Sequence, residues 1–372
     1  VGYNAGAAVT TGVENTLIGS LTGDALTSGQ QNTALGFNAL SLDTLGQRSV
    51  AIGHSTLDAQ NFTTATNAYN VAVGYATGSA ITTGIKNAMV GALALNASTT
   101  GQENVAIGHQ ALTTDTKGQR NVAVGSNALG AQNFTTATNS QNVAVGYAAG
   151  GDVTTGIENA LIGGLAGDAL TTGSYNITLG GSALGADTAG VASIAIGYQT
   201  LQVQNFTTAT NAFNVAVGHA AGRAVTTGKE NILIGGVAGD ALTDADFNVA
   251  IGHTALGLDT LGSRSVAIGH STLDAQNFTT ATNSYNVAVG HAAGSAVTTG
   301  VKNTLIGGLA GDDITTGNQN TFIGYNLASS GVTVENQIAI GVDGTAGATA
   351  TARFIIGSNT ATLGIDGSDT SW

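Results

Sequence analysis

The chain has 372 residues, of which 56 are Gly, none is Pro or Cys, and only 8% are charged. Its formal net charge of −13 predicts an acidic surface, so nucleic acid and anionic membrane surfaces are poor partners. The lack of Cys excludes disulfides and thiolate metal sites, and no apolar run has the length of a membrane span.

A short motif, N-x-A-[IV]-G, recurs along the chain and sets its organisation. Examples are NTALG at 32–36, NVAIG at 104–108 and NVAVG at 121–125. The motif glycines follow one another at steps of 17, 17, 17 and 21 residues, so four copies make a super-repeat of 72 residues. A period this short does not fit helical-pair repeats or propeller blades. The chain is therefore expected to be built from one kind of small coil.

Each repeat unit predicts two short strands and two turns. In NVAVG at 70–74, the period-2 alternation places Val71 and Val73 on one face and Asn70 and Ala72 on the other. A second Gly follows ten residues after most motif glycines, behind a Thr-rich segment with strand propensity. Stacking these units predicts an all-β fold, a parallel β-solenoid or β-roll of about 20 coils lying about 4.8 Å apart.

The solenoid is expected to occupy 1–341, and 342–372 to hold a degenerate last coil ending at Gly357 and a C-terminal segment. A Val and Ile ladder should fill the inside, and stacked Asn side chains should form hydrogen-bonded ladders. The Ala face should point outward and pack against sister chains, most simply around a threefold axis. This stripe contains Ala34, Ala51, Ala72, Ala106 and Ala123. Larger residues replace Ala once per super-repeat, and there we expect more space outside the strand: Leu17, Met89, Leu161, Leu233 and Leu305.

The motif, with its variant SVAIG at 49–53 and 265–269, resembles the head repeat of trimeric autotransporter adhesins. That resemblance implies a trimer of left-handed parallel β-rolls, although the coils of that family are shorter. Coils of the form N-x-A-x-G-x-x-A-L…T-x-G also resemble the repeat shafts of bacteriophage tail fibres and spikes. In those proteins a trimeric shaft precedes an endosialidase-type intramolecular chaperone, and here the repeat stops about where such a chaperone would begin. The resemblance therefore implies an intertwined or side-by-side homotrimeric fibre.

All six His residues directly follow a motif glycine, in a slot that Tyr or Phe fills in other coils. This exchange favours flat rings that stack from coil to coil. A metal or proton site is the alternative where His253, His270 and His291 fall on three consecutive coils. Because Phe and Tyr cannot replace a metal ligand, we expect a stacked ring column.

The four extra residues of the longest coil lie in the segment QNFTTATN, which is identical in its four copies. It places one Phe at the same point of each super-repeat: Phe62, Phe134, Phe206 and Phe278. These rings could contact a receptor polysaccharide, or they could pack in the core or against a neighbouring chain, which the perfect repetition favours. Acidic residues also recur, in turns where we favour hydrogen bonding to the backbone over calcium binding: Asp43, Asp115, Asp187 and Asp259.

No nucleophile, base and acid stand apart from the repeat, so we expect no enzymatic activity, no cofactor and no metal. The predicted function is a structural and adhesive fibre, the shaft of a phage tail fibre or spike that takes part in host attachment. It would lie on the virion tail or at a cell surface, with sister chains and a host surface glycan or protein receptor as partners. A bacterial trimeric surface adhesin is the alternative. An ice-binding β-solenoid is a weaker one, because Thr-x-Thr occurs in only one coil of four.

Overall fold

The computed structural model describes residues 1–345, 351–356 and 359–364. Every regular element in these residues is a β-strand, and no helix among them could cross a membrane. The chain divides into two compact units, Val1–Val191 with Thr207–Ala209, and Ala192–Phe206 with Thr210–Trp372. Each unit is a parallel β-solenoid, which confirms the fold class predicted from the repeat.

One three-residue strand per coil, taken from the motif, builds the main sheet of each unit; we call these the main strands. In the first unit they are Thr16–Ile18, Thr33–Leu35, Val50–Ile52, Val71–Val73, Ala88–Val90, Val105–Ile107, Val122–Val124, Val143–Val145, Ala160–Ile162 and Ile177–Leu179. In the second unit they are Ile194–Ile196, Val215–Val217, Ile232–Ile234, Val249–Ile251, Val266–Ile268, Val287–Val289, Thr304–Ile306, Thr321–Ile323 and the four-residue Ile338–Gly341.

Within each unit, every main strand pairs in parallel with the main strand of the next coil. The partners are 17 residues apart in ordinary coils, as for Val105 and Val122. They are 21 residues apart across an insertion, as for Val122 and Val143. Equivalent positions of successive coils therefore lie directly above one another, and each position of the repeat forms a column.

Short two-residue strands attach each insertion to the coil before it. The pairs are Gly46–Gln47 with Thr66–Asn67 and Gly118–Gln119 with Thr138–Asn139 in the first unit, and Gly262–Ser263 with Thr282–Asn283 in the second. Further short strands are Gly190–Val191 in the first unit and Thr210–Asn211 in the second. Near the C-terminus, Leu327–Ala328 pairs with Gly344–Thr345.

The described chain ends in a different kind of pairing. Thr351–Ile356 continues the parallel ladder on Ile338–Gly341, and it also pairs antiparallel with Asn359–Gly364. The solenoid pattern therefore gives way to a hairpin within the segment where the degenerate last coil was expected. Gly357, the expected end of that coil, lies outside the described residues.

The interior of the coils is lined by the middle residue of each main strand, not by the Val and Ile beside it. The alanines of the predicted outer stripe have 0% exposure: Ala34, Ala51, Ala72, Ala106 and Ala123. By contrast, Val71 is 39% exposed and Ile107 is 40% exposed. The prediction of an outward Ala stripe and a Val and Ile interior is therefore wrong. The alternation of the strands is as expected, but the two faces are exchanged.

The physical reason is that leucines from the turn after each main strand fill the narrow interior opposite the alanines. Leu40, Leu57 and Leu112 have 0% exposure and left-handed backbone with φ of 55°, 49° and 50°. Where the turn carries Gly167 instead, a Cβ would lie 2.9 Å from a Leu161 Cδ atom. The larger residues that replace Ala in the main strands thus occupy interior space beside turn glycines, which have no side chain to fill it. The predicted widening outside the strand is wrong, since these residues are at 0% exposure: Met89, Leu161, Leu233 and Leu305. Leu17, half-buried in the first coil, lies against the equivalent Gly23.

The motif Asn residues form the predicted ladder, on the inner side of the sheet. The backbone N–H of Asn87 donates to Oδ1 of Asn70 at 3.0 Å, and that of Asn104 donates to Oδ1 of Asn87 at 3.0 Å. The Asn87 Nδ2 group donates to the carbonyl of Gly101 at 2.9 Å, in the turn that precedes the next main strand. The buried amides are therefore satisfied by the stacking itself.

The motif glycines are required because successive coils approach closely there. Gly163 has φ of +132°, and a Cβ on it would lie 2.6 Å from the carbonyl oxygen of Gly180 in the next coil. Its neighbour Gly164 has no atom within 4 Å of such a Cβ. The constraint therefore belongs to the motif position and not to glycine-rich sequence in general.

Candidate functional site

The outward side of the main sheet is an apolar strip, which is the most prominent surface feature of each unit. We define the outer strip as the first and third residues of the main strands. The third residue is Ile, Leu or Val in every described main strand, and the first is Val, Ile, Ala or Thr. Ile18, Leu35 and Val90 are 44%, 44% and 43% exposed. None of the described main strands places a charge in the strip.

A column of rings runs along one side of the outer strip, two residues after the third strand residue. In the first unit, His54 stacks between Phe37 and Tyr75 with centroid distances of 5.2 and 5.4 Å. In the second unit, the centroid distances are 5.4 Å from His253 to His270 and 5.4 Å from His270 to His291, with interplanar angles of 14° and 12°. These three His form the stacked arrangement expected from their sequence slot.

The ring column offers no chelating geometry in the part of the chain that the structure describes. No group of three or more His, Asp or Glu side chains there is placed to hold a metal ion. Asp274 is an acid near two of these rings, and its pKa is raised by burial and lowered less strongly by His270 and His253. Stacking therefore accounts for the ring column, as the exchange of His with Tyr and Phe indicates.

A column of long side chains runs along the other side of the strip, two residues before each main strand. Arg48 lies over the Tyr69 ring at 5.6 Å and donates to its hydroxyl at 2.6 Å. Glu103 pairs with Lys86 at 3.2 Å and with Arg120 at 3.0 Å. These two cations hold the pKa of Glu103 below its usual value, with the Arg120 hydrogen bond the largest cause. The apolar strip is thus bordered by polar and aromatic side chains.

The Phe side chains of the insertions are buried within their own chain. Their exposed fractions are 5% for Phe62, 6% for Phe134, 6% for Phe206 and 5% for Phe278. Phe278 lies over Gly262, where a Cβ would come within 2.7 Å of the ring. The interpretation of these rings as receptor or interchain contacts is therefore wrong, and the packing alternative describes them. The exposed positions of the first insertion are Asn61, 63–65 and Asn67.

A buried carboxylate holds each insertion in place. Oδ1 of Asp43 accepts the backbone N–H groups of Gly46 at 3.0 Å and Phe62 at 3.1 Å, and its Oδ2 accepts Gln60 Nε2 at 2.6 Å. Gln60 Oε1 in turn accepts Asn70 Nδ2 at 2.8 Å, which joins the insertion to the Asn ladder. Burial raises the pKa of Asp43, and the hydrogen bonds oppose that shift.

The recurring turn acids serve the backbone, as the sequence indicated. In each of the four super-repeats the Asp side chain accepts the N–H of the Gly three residues later at 3.0 Å, for Asp43, Asp115, Asp187 and Asp259. These carboxylates are engaged inside the chain. Their role is to fix the turn.

The outer strip was missed at the level of sequence because the larger apolar residues were assigned to the interior. A signal for the correct assignment was present in the motif itself. Asn70 shares a face with Ala72, and a stacked Asn ladder satisfies its own amides, so this polar side chain can lie on the buried face. The Asn ladder therefore marks the inner face and leaves Val71 and Val73 outside.

A comparison of the chain with protein-family models, with curated proteins and with solved structures found no match.

Proposed function

We propose that this chain is the structural shaft of a homotrimeric attachment fibre, such as a phage tail fibre or spike that carries host recognition. A bacterial trimeric surface adhesin is the same kind of fibre on a cell, and it is the alternative. The partners are sister copies of the chain and a glycan or protein receptor on the host surface. The proposed place is the virion tail or the cell surface, and catalysis has no part in the proposal.

The observation that carries this proposal is the repetition of one buried hydrogen-bonding scheme from coil to coil. The Asn70, Asn87 and Asn104 contacts recur with distances near 3.0 Å. An enzyme needs one convergent set of reactive side chains, whereas the His and Asp residues here recur with the repeat. In such a chain the buried side chains hold one coil on the next in the same way throughout. This suits a spacer whose length is set by the number of coils.

The exposed part of each insertion supplies the surface that we assign to the receptor. Thr63 and Thr64 are exposed, and the same pair returns every 72 residues. Hydroxyl groups at a fixed spacing are suited to a polymer with its own repeat, such as a surface polysaccharide, because several weak contacts then act together. The buried Phe62 supports this loop from below and does not itself reach the receptor.

The test uses the purified full chain, labelled with a fluorophore, on a panel of bacterial strains. We expect binding to a subset of strains and at least a tenfold loss of binding when all four Thr pairs are replaced by Ala. Ala replacement of Thr11 and Thr155, exposed Thr residues outside the insertions, is the matched control. Binding to no strain, or equal binding by the insertion variant, contradicts the receptor role.

A measurement of thermal hysteresis separates this proposal from the ice-binding alternative. An ice-binding solenoid needs a flat Thr array on most coils, and Thr64 with Thr66 belongs to a segment present in one coil of four. We expect no hysteresis beyond the colligative freezing-point depression. A clear hysteresis gap would contradict the attachment proposal.

A further inference from the structure

We infer that the outer strip is the surface through which copies of this chain associate, side by side and in parallel. The inference rests on the proposed homotrimer and names the face that forms it. It replaces the alanine stripe, which is buried inside each chain, with the Val and Ile columns on the opposite side of the same strands.

Exposed apolar surface is concentrated on this one face. Most of the exposed large apolar side chains belong to the outer strip or to the two columns beside it. Ile107, Val145 and Ile162 are 40%, 36% and 38% exposed, although they lie in the central coils of their unit. Single exposed hydrophobic residues are ordinary, but a contiguous apolar patch on a protein surface marks an interaction site.

The area of the strip matches what a stable interface requires. Ten main strands at about 4.8 Å give a length of about 45 Å, and a width of about 10 Å gives roughly 450 Å² in a unit. The strips of the two units together offer about 900 Å². A standard protein interface buries about 800 Å² on each partner. The strip of one unit therefore supplies about half of a standard interface, and the strips of both units are needed to hold a second copy of the chain.

The chemistry of the strip fits a second copy better than another partner. Its centre is uncharged and its border carries the Lys86, Glu103 and Arg120 cluster, which is the arrangement of apolar core and polar rim found in interfaces. Two copies also share the same rise per coil, so side-chain rows that meet in one coil meet in every coil. The chain charge of −13 opposes association elsewhere, whereas the strip contributes no like-charge contact.

The parallel orientation follows from the symmetry of the proposed trimer. A threefold axis rotates copies about a common line and cannot reverse their direction. When that axis runs along the columns, Ile107 of each copy lies near Ile107 of the others. An isologous antiparallel pair would bring Ile107 opposite a different residue everywhere except at the twofold axis.

The first experiment measures the solution mass of the full chain by light scattering. We expect three times the chain mass of 36.4 kDa. The triple variant Val90→Glu, Ile107→Glu and Val145→Glu should fall to 36.4 kDa with an unchanged strand spectrum in circular dichroism. A monomeric parent chain overturns the inference, and so does a triple variant that keeps the parent mass.

The control adds charge, two Glu in place of three, at exposed apolar residues outside the strip. Leu42 and Leu258 are each 57% exposed and lie in turns. Leu42→Glu with Leu258→Glu should keep the parent mass. Dissociation by this control variant would mean that added charge, and not the strip, decides the mass, which overturns the inference.

A second experiment remains informative if the charged variant fails to fold. The chain has no Cys, so a single introduced Cys is the only thiol. Under mild oxidation, Ile18→Cys, Ile107→Cys and Ile162→Cys should each give a covalent dimer in high yield, and Leu42→Cys should not. Self-linking at one strip position but not at the others indicates an antiparallel pair and overturns the parallel arrangement. Self-linking at none overturns the inference.

The same preparations separate this inference from the attachment proposal. A trimer that links through the strip but binds no cell contradicts the attachment function and supports the interface. A monomer that binds cells through its insertions supports the attachment function and contradicts the interface. Cell binding and solution mass are therefore measured on each variant.

Discussion

The ordinary 17-residue coils and the 21-residue coils close their interiors with different chemistry. In an ordinary coil, Asn104 accepts a backbone N–H from the next coil, and its Nδ2 donates to the carbonyl of Gly118 at 3.0 Å. In the first 21-residue coil the Asn slot holds the shorter Ser49, and Gln60 of the insertion enters the space. Gln60 Nε2 donates to Ser49 Oγ at 3.1 Å.

This difference shows where each kind of coil is vulnerable. The ordinary coil uses backbone groups and neutral amides, so its weak point is the glycine that lets two coils meet. The insertion brings a polar side chain inside and needs Asp43 beside it, at 2.6 Å from Gln60 Nε2. A buried carboxylate is costly unless it is fully hydrogen-bonded. The stability of the 21-residue coils should therefore depend on single side chains and on pH, and the stability of the ordinary coils should not.

The largest effect is expected at the motif glycine of an ordinary coil. Gly163→Ala places a Cβ 2.6 Å from the Gly180 carbonyl oxygen at a φ of +132°. Backbone strain and overpacking together should lower the free energy of unfolding by about 4 kcal/mol. Urea unfolding followed by circular dichroism measures this. The control is the adjacent Gly164→Ala, which meets no atom within 4 Å and should change stability by less than about 0.5 kcal/mol. Equal effects at both positions would contradict the close approach of coils.

The next effect concerns the carboxylate that holds an insertion. Asp115→Ala removes the acceptor for Gly118 N–H at 3.0 Å, Phe134 N–H at 3.2 Å and Gln132 Nε2 at 2.7 Å. Leaving these buried donors unsatisfied should cost about 3 kcal/mol. Hydrogen exchange around the insertion should show the loss locally. The control is Asp58→Ala, because Oδ1 of Asp58 is buried without a hydrogen-bond partner. A larger cost at Asp58 than at Asp115 would refute the assigned role.

Much of the fold could be predicted from the sequence, because the same pattern of strand and turn residues recurs in every coil. The period located the strands at positions such as Val71–Val73, and the recurring Asn fixed the ladder. The slot shared by His, Tyr and Phe predicted stacked rings, as at His253 and His270. These features depend only on register, and register is what a repeated sequence determines most directly.

The choice of inner face could not be read from alternation, since period 2 defines two faces without saying which is buried. The answer depended on Leu40 and its equivalents, which enter the interior from a left-handed turn with φ of 55°. Leucine rarely adopts that conformation, so sequence alone gave no reason to expect it. The same limit applied to Phe278, whose burial depends on Gly262, because a Cβ there would come within 2.7 Å of the ring.

A third variant tests the exchange of faces in an ordinary coil. Ala106→Leu adds volume to an interior already filled by Leu112, both at 0% exposure, and should cost about 2 kcal/mol. Adding Leu112→Gly reproduces the natural pairing of Leu161 with Gly167 and should recover part of that loss. The outward control Val105→Leu should stay within about 0.5 kcal/mol of the parent. If Val105→Leu lowers the free energy of unfolding and Ala106→Leu leaves it unchanged, then Val105 and not Ala106 faces the interior, which contradicts the exchange of faces.

The smallest expected effect is a gain of stability in mild acid, and it belongs to the insertions. Burial raises the pKa of Asp43 and of Asp115 above the ordinary 3.8, in spite of their hydrogen bonds. Between 3.8 and the raised value the folded chain binds more protons than the unfolded chain. Stability should therefore increase as pH falls through that window, and it is lost again as pH rises through the folded pKa. We expect the Tm at pH 4, just above the ordinary value, to exceed that at pH 7.

The ordinary coils supply the contrast that makes this pH effect specific. Glu103 has a lowered pKa because Arg120 and Lys86 pair with it, so its contribution has the opposite sign and is lost as pH falls. Glu103→Gln should therefore leave the acid stabilisation intact or make it larger. Asp115→Asn keeps an acceptor oxygen for the turn but cannot titrate, and should make the difference in Tm between pH 4 and pH 7 smaller. If Asp115→Asn leaves that difference unchanged while Glu103→Gln abolishes it, the pH response belongs to the surface pairs and the buried carboxylates do not distinguish the two kinds of coil.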